Sequence, residues 1–279
     1  MKSLKKSTTA FLSLFLLTAF VFAGNKDNKK QRIVSLGPSA TEIIFAIGAQ
    51  DQLVARTDLC DFPPQAKNVP SVGGFAANTI SLESIISFEP TLVYLFAGMH
   101  DNFVQPLKDL GISVYISNAT CINDVKNEIL EIGKLTGHEK QAAKVVKEMN
   151  EKLALAKSFY QKKDLERPTV YWEVWNSPMM SIGKNSFMND IINYAGGKNI
   201  FEEQENAYPM VSEEAVLYAA PDFIFYSGDG MGSGKPTLKY AAPKGMYFMG
   251  DDDSFVRSSP RCADAVLKLA KLFWKGSTN

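Results

Sequence analysis

Two stretches of this chain superpose at a constant offset of 131 residues, and that repeat limits the folds open to it. Ser81 falls on Ser212, Glu83 on Glu214, Ile85 and Ile86 on Val216 and Leu217, and Pro90 on Pro221; the apolar run Leu92–Leu95 falls on Phe223–Tyr226. Each copy predicts a short helix opened by a serine, stopped ahead of a proline and followed by a buried strand. Any α/β chain contains such units, and an acid in a first helical turn complements the helix dipole. Cap, acid, proline and strand coinciding in one register point instead to an internal duplication. The duplication extends further, since Ile43-Ile44 and Gly48 are echoed by Ile191-Ile192 and Gly196 at an offset of 148.

On either side of the first copy, predicted strands alternate with helices: Arg32–Leu36, a helix to Gly48, Leu53–Ala55, a helix to Leu110, Ser113–Ile116, and a helix from about Cys121 to Thr136. This alternation implies a mostly parallel sheet with helices on both faces. From His138 to Lys163 there is no glycine or proline, and Ala142, Val145, Val146, Met149, Leu153, Ala156 and Tyr160 recur at helical spacing. Such a helix would be roughly 38 Å long, enough to pass from one lobe to another; the plainer reading is an outer helix of one larger domain. After Pro168 the pattern restarts with the strand Thr169–Val174, a helix from Asn185 to Ala195, a Gly/Ser/Lys loop from Ser227 to Tyr240, the strand Met246–Met249 and a helix from Pro260 to Trp274. The expected fold is therefore α/β: two Rossmann-like lobes, residues 32–137 and 164–279, joined by one long α-helix at 138–163.

Residues 1–23 stand apart. Lys2, Lys5 and Lys6 precede an apolar run from Ala10 to Phe22 that ends in Val21-Phe-Ala23. This pattern predicts a secretory signal peptide cleaved after Ala23, followed by a polar tether at 24–31. The run is shorter than the roughly 18 to 20 residues of a membrane-spanning helix. No cysteine near the cleavage point could carry a lipid, so the expected location is the periplasm, without a lipid anchor. Removing the leader turns 30 basic against 30 acidic residues into 27 against 30. That balance argues against a nucleic-acid partner, whose phosphates call for a basic face. Cys60, Cys121 and Cys262 allow one disulfide plus a spare, or three buried thiols.

Two α/β lobes leave a cleft between the carboxyl ends of their strands, where open parallel sheets bind ligands. The loops beyond the predicted strands assign Ser39, Leu59, Phe75, Phe96, His100, Trp172, Trp175, Tyr208, Phe255 and Arg257 to it. Aromatic and nearly uncharged, this set suits a large, flat, partly apolar ligand better than a sugar or an inorganic anion. No catalytic residue is assigned. The only histidines are His100 and His138, and there is no nucleophile elbow, phosphate loop or His-Glu-x-x-His. Gly228–Gly234 reads as a flexible loop and Asp251–Asp253 as a solvated turn. His100 could offer its imidazole to a metal in a bound macrocycle, or could be a surface histidine ahead of a helix.

Arg32–Ile44, Asp61-Phe-Pro-Pro-Gln-Ala-Lys67, Ser81-Leu-Glu83 with Pro90, Ser181-Ile-Gly183, Gly196–Phe201, Val211-Ser-Glu-Glu214 and Arg257-Ser-Ser-Pro-Arg261 form an ordered set. It resembles the substrate-binding proteins of ABC importers for vitamin B12, ferric siderophores and haem, over nearly all of residues 32–274. The resemblance implies a class III periplasmic binding protein with a rigid linking helix, little hinge closure and no enzymatic activity. It implies a monomer that delivers a metal chelate to an inner-membrane permease and ATPase complex. No resident cofactor is expected; the transported ligand would be a cobalamin-type corrinoid, a ferric siderophore or haem.

In that family one glutamate on the tip of each lobe pairs with permease arginines, which by motif position would be Glu83 and Glu214, with Glu213 the rival in the second lobe. The Pro-Pro-Gln-Ala-Lys and Ser-Pro-Arg runs look nearest to the vitamin B12 branch. Yet Phe75, Phe96 and Tyr208 stand where that branch favours tryptophan, and Leu59 or Cys60 where it has tyrosine. Zinc and manganese binders need histidine and carboxylate ligands that the chain does not supply. An exported metal-dependent hydrolase, or an interaction protein that kept the fold, are the alternative functions.

Overall fold

A computed structural model of the chain describes residues 30–161, 166–226, 242–249 and 252–274. The expected signal peptide, nearly all of the tether, the Gly/Ser/Lys loop with Gly228–Gly234, and Asp251 lie outside the described residues.

The first lobe contains β1 (Ile33–Ser35), α1 (Pro38–Ala46), β2 (Leu53–Arg56), α2 (Leu82–Ile86), β3 (Leu92–Phe96), α3 (Asp101–Asp109), β4 (Ser113–Ser117) and α4 (Ile122–Thr136). Its strands lie in the order β2-β1-β3-β4, all parallel. α5 (Glu139–Ser158) follows. The second lobe contains β5 (Thr169–Asn176), β6 (Met179–Ser181), α6 (Phe187–Tyr194), β7 (Lys198–Asn199), α7 (Glu213–Ala219), β8 (Phe223–Tyr226), β9 (Gly245–Phe248) and α8 (Cys262–Phe273). Here β7, β5, β8 and β9 pair in parallel, and β6 adds an antiparallel edge on β5. The order β7-β5-β8-β9 repeats that of the first sheet strand for strand.

The repeat in the sequence is thus a repeat in backbone. Ser81 caps α2 by accepting from the Ser84 N–H at 3.0 Å, and Ser212 caps α7 by accepting from Ala215 N–H at 3.2 Å. The two capping residues share one conformation, φ −106° and ψ 151° against φ −105° and ψ 155°. At the other end, Glu89 (φ 48°) and Ala220 (φ 43°) are the two non-glycine residues with positive φ among the described residues, and they occupy the same repeat position. Each precedes a buried proline, whose ring disfavours a further right-handed helical residue before it.

Ile85 in one lobe and Val216 in the other are fully buried, so each short helix is held by one apolar plug. A plug of that size contributes about 1.5–3 kcal/mol. The helix would otherwise be too short to persist.

α5 packs between α4 and α8. Its buried stripe is Ala142, Met149, Leu153 and Ala156, the helical spacing that the sequence displays. α4 ends at Gly137, a left-handed cap at φ 73°. Gly133 lets the two helices meet, because a Cβ there would lie 2.5 Å from that of Ala142. Where the periodicity predicts a helix to Lys163, α5 stops at Ser158. Tyr160 is instead drawn into the second lobe, its ring stacked on Trp274 at 5.8 Å and its hydroxyl donating to the Tyr194 carbonyl at 3.2 Å. At 20 residues the helix is about 30 Å long rather than 38.

One continuous core runs through both lobes, from Ile33 and Ile43 across α4 and α5 to Trp172, Val266 and Trp274. Smaller apolar clusters cover the outer sheet faces of each lobe. The cysteines are three free thiols, with Cys60 and Cys262 buried. Burial pushes the Cys262 thiol up to about 12, so it is unreactive at neutral pH.

Candidate functional site

A cavity of about 210 Å³ opens between the lobes at the carboxyl ends of the strands. Every strand of the first lobe delivers to it: β1 leads to Pro38 and Ser39, β2 to Phe75, β3 to Phe96 and β4 to Ala119. The second lobe contributes Phe187 at the start of α6, Tyr208 beyond β7, and Val256, Arg257 and Ser258 beyond β9. Its composition is aromatic, with Arg257 the one charged residue of the lining.

The aromatic wall of the first lobe is braced from behind. Phe75 and Phe96 meet edge to face at 6.2 Å, and Phe75 meets the His100 ring at 5.4 Å. The imidazole is fully buried; its Nδ1 accepts from the Phe96 N–H at 3.0 Å, and its Nε2 donates to the Phe75 carbonyl at 2.8 Å. Both nitrogens are occupied in the neutral tautomer, and burial lowers its pKa against the opposing pull of the Phe75 carbonyl and Asp101. This corrects the expectation that His100 could be an axial metal ligand or a surface residue. It is a bracket that fixes two lining phenylalanines.

Across the cleft, Gly183 of the Ser-Ile-Gly motif allows the Tyr208 loop to close on β6. Its N–H donates to the Ala207 carbonyl at 2.9 Å, and a Cβ there would lie 2.0 Å from the Asn206 carbonyl oxygen.

Of the ten residues assigned from sequence, Ser39, Phe75, Phe96, Tyr208 and Arg257 line the cavity. Two more stand exposed outside it: Leu59, 52% exposed, and Trp175, 42% exposed with its indole donating to the Ser177 carbonyl. Trp172 and Phe255 are core residues, a correction to their assignment. Trp172 lies inside β5, which runs to Asn176, and its fully buried ring turns to the core face, packing against Phe225 at 5.3 Å and Phe255 at 5.9 Å. Pro38, Ala119, Phe187, Val256 and Ser258 were missed, although Ala119 lies directly beyond β4, where the strand-end rule would have found it.

Arg257 closes the cleft from below and ties the lobes together. Its Nη1 donates to Glu42 Oε1 at 3.1 Å and to Asp61 Oδ1 at 2.9 Å; its Nη2 reaches Asp253 Oδ2 at 2.6 Å and the Leu59 carbonyl at 3.4 Å. Burial works to lower the Arg257 pKa, but the Asp61, Asp253 and Glu42 carboxylates outweigh it and hold the guanidinium charged. Arg261 grips Glu42 through Nε at 2.8 Å and Nη2 at 2.6 Å, and its guanidinium lies 3.8 Å above the Phe62 ring. A second interlobe tie runs from Asp190 of α6, which accepts from the Ile122 N–H at the start of α4 at 2.7 Å.

Glu83 and Glu214 take no part in the cavity lining and stand exposed on the first turns of α2 and α7. By repeat position Glu214 is the counterpart of Glu83, and Glu213 that of Leu82. A backbone hydrogen bond from its own N–H, and then the Ser212 hydroxyl, lower the Glu214 pKa. Among the described residues no three His, Cys, Asp or Glu side chains gather as a metal site, and no helix is long and apolar enough to cross a membrane.

The fold and the sequence have known counterparts. Vitamin B12-binding protein of Vibrio parahaemolyticus is 26% identical over 249 residues, covering 87% of this chain and 89% of that one. Vitamin B12-binding protein of Photorhabdus laumondii is 29% identical over 231 residues, covering 82% of each chain. Among solved structures, the periplasmic vitamin B12 binding protein BtuF of Vibrio cholerae superposes with a TM-score of 0.75 at 25% identity, over 89% of this chain and 98% of that one. The periplasmic heme binding protein HutB of the same organism has the same fold, with a TM-score of 0.75 at 21% identity, over 88% and 99% of the two chains. With residues 33–242 matched by its model, the chain belongs to the periplasmic binding protein family.

Proposed function

We propose that this protein is the substrate-binding component of an ABC importer, exported by the leader at residues 1–23, and that it captures an uncharged metal chelate of corrinoid type. The observation that carries this reading is the cleft: strand-end loops of both lobes converge on Phe75, Phe96, Phe187 and Tyr208, around a single cation whose terminal donors are already engaged. An aromatic, nearly uncharged cleft suits a broad ligand with an amide periphery. The relatives named vitamin B12-binding protein support the same choice. The cavity of about 210 Å³ is smaller than the roughly 300–1,000 Å³ of sites that enclose a drug-sized ligand. Such a ligand would therefore be held at one edge and would extend over the exposed rim of Leu59, Trp175 and Tyr208.

Titration with cyanocobalamin, followed by quenching of tryptophan emission, tests the reading. A dissociation constant in the micromolar range or below is expected; failure of cyanocobalamin to bind below millimolar concentration would overturn the corrinoid reading, and failure of haemin and a ferric hydroxamate as well would overturn any chelate reading.

Glu83 and Glu214 are the docking acids in this proposal, one on the tip of each lobe, facing arginines of a two-sided permease. The double charge reversal Glu83→Lys with Glu214→Lys should abolish uptake of the ligand by cells while leaving the affinity of the purified protein unchanged. Lost affinity would instead place these acids in ligand binding.

A further inference from the structure

Glu42 stands on α1 one turn beyond the cleft-lining Ser39 and is 3% exposed, among the buried apolar residues Ala40, Ile43 and Ile44. A carboxylate so placed is costly unless it is paired. Its arginine partners both come from the other lobe: Arg261 by two hydrogen bonds and Arg257 by one. The effect reaches the ligand side through Arg257. A guanidinium has four terminal N–H donors, and those of Arg257 go to Glu42, Asp61, Asp253 and the Leu59 carbonyl. The fork that ordinarily grips a carboxylate is thereby closed. Around the two arginines stand three carboxylates, Glu42, Asp61 and Asp253, so the floor of the cleft carries one net negative charge.

We propose that Glu42 is a specificity-determining residue: it closes the Arg257 fork from below, so that the cleft prefers an uncharged chelate over one bearing carboxylates. This rests on the reading of the cleft as a chelate site. Removing the Glu42 charge turns its bond to Nη1 from a charge-assisted into a weaker neutral one, easier for a ligand carboxylate to displace, and leaves the cluster neutral, which favours an anionic ligand. A residue that only held the lobes together would, when lost, weaken every ligand alike.

The test compares cyanocobalamin, which has no free carboxylate, with haemin, which has two, as ligands of the wild type, Glu42→Gln and Asp61→Asn. The ratio of the two dissociation constants is the readout, because partial unfolding lowers both apparent affinities by the same factor and leaves the ratio unchanged. The ratio should move toward haemin by roughly tenfold in Glu42→Gln, the scale of one charge-assisted hydrogen bond. It should move less in Asp61→Asn, whose carboxylate is 42% exposed and better screened. If Glu42→Gln does not fold, Asp61→Asn carries the test. Unchanged ratios in variants that bind both probes would overturn the inference and leave the chelate reading standing. A wild type that binds neither probe overturns the chelate reading, and the inference with it.

Discussion

His100 shows how a single side chain can be essential to a site it never enters. Its two ring nitrogens close on the backbone of Phe75 and Phe96, so the orientation of both lining rings depends on one neutral imidazole. Its folded pKa lies below the ordinary value of 6.5, chiefly through burial. A histidine held neutral by the fold stabilises it fully above its unfolded pKa; that stability is lost as pH falls from about 6.5 through the lower, folded value. Urea denaturation at pH 7.5 and pH 5.5 should show a loss of stability at the lower pH that shrinks in His100→Asn. Replacement by alanine should cost about 2–4 kcal/mol, from a buried donor and acceptor left unpaired plus the space vacated. The sequence places His100 correctly beyond a strand end, but periodicity does not tell which way a side chain turns at a loop. The ring turns inward because the Phe96 N–H and the Phe75 carbonyl engage its two nitrogens. Trp172 departs from the expectation for a different reason: it lies within the strand, and which face of β5 is covered by Phe225 and Phe255 is a long-range matter that the aromatic run itself does not announce.

At the scale of the element, α2 and α7 show how much an internal repeat makes legible. Cap, acid, helix, proline and strand all follow from the sequence, and the left-handed residue before each proline is the one feature it does not announce. Neither Glu89 nor Ala220 is a glycine, although such a residue in this conformation costs about 1–2 kcal/mol. Substituting glycine at Ala220 relieves that cost, while the freer unfolded chain takes back about 0.4–1 kcal/mol. Ala220→Gly should therefore raise stability by about 0.5 kcal/mol, read as a higher urea midpoint at unchanged slope. A midpoint that falls would show the left-handed turn to be unstrained. β6 and β7, with three and two residues, carry too little pattern to read; pairing with β5, a long-range contact, creates them.

For the whole molecule, the shared core decides how the lobes behave. Apolar packing is continuous from the β1 side of the first lobe through α4, α5 and α8 to the second. Three ion pairs also cross at the cleft floor: Glu42 to Arg257, Glu42 to Arg261, and Asp61 to Arg257. Residues 30–274 should therefore unfold in one cooperative step, with far-ultraviolet and near-ultraviolet circular dichroism giving the same midpoint. Two separated transitions would mean that each lobe is a folding unit of its own. The duplicated lobes and the cleft between them were readable in advance, because a repeated βα pattern dictates its own topology. The clamp was not, because Glu42 and Arg257 stand 215 residues apart and nothing local announces their meeting.

The cap that Asp190 places on α4 carries a consequence for synthesis on the ribosome. Ile122 at the head of α4 finds its acceptor 68 residues later in the chain. Asp124 closes a local capping box at the head of α4, but the first lobe emerges with the Ile122 N–H still lacking its acceptor and with the α8 layer untranslated. A nascent chain released before α8 leaves the α8-facing stripe of α5 open to water. This receptor completes its first half only by making its second.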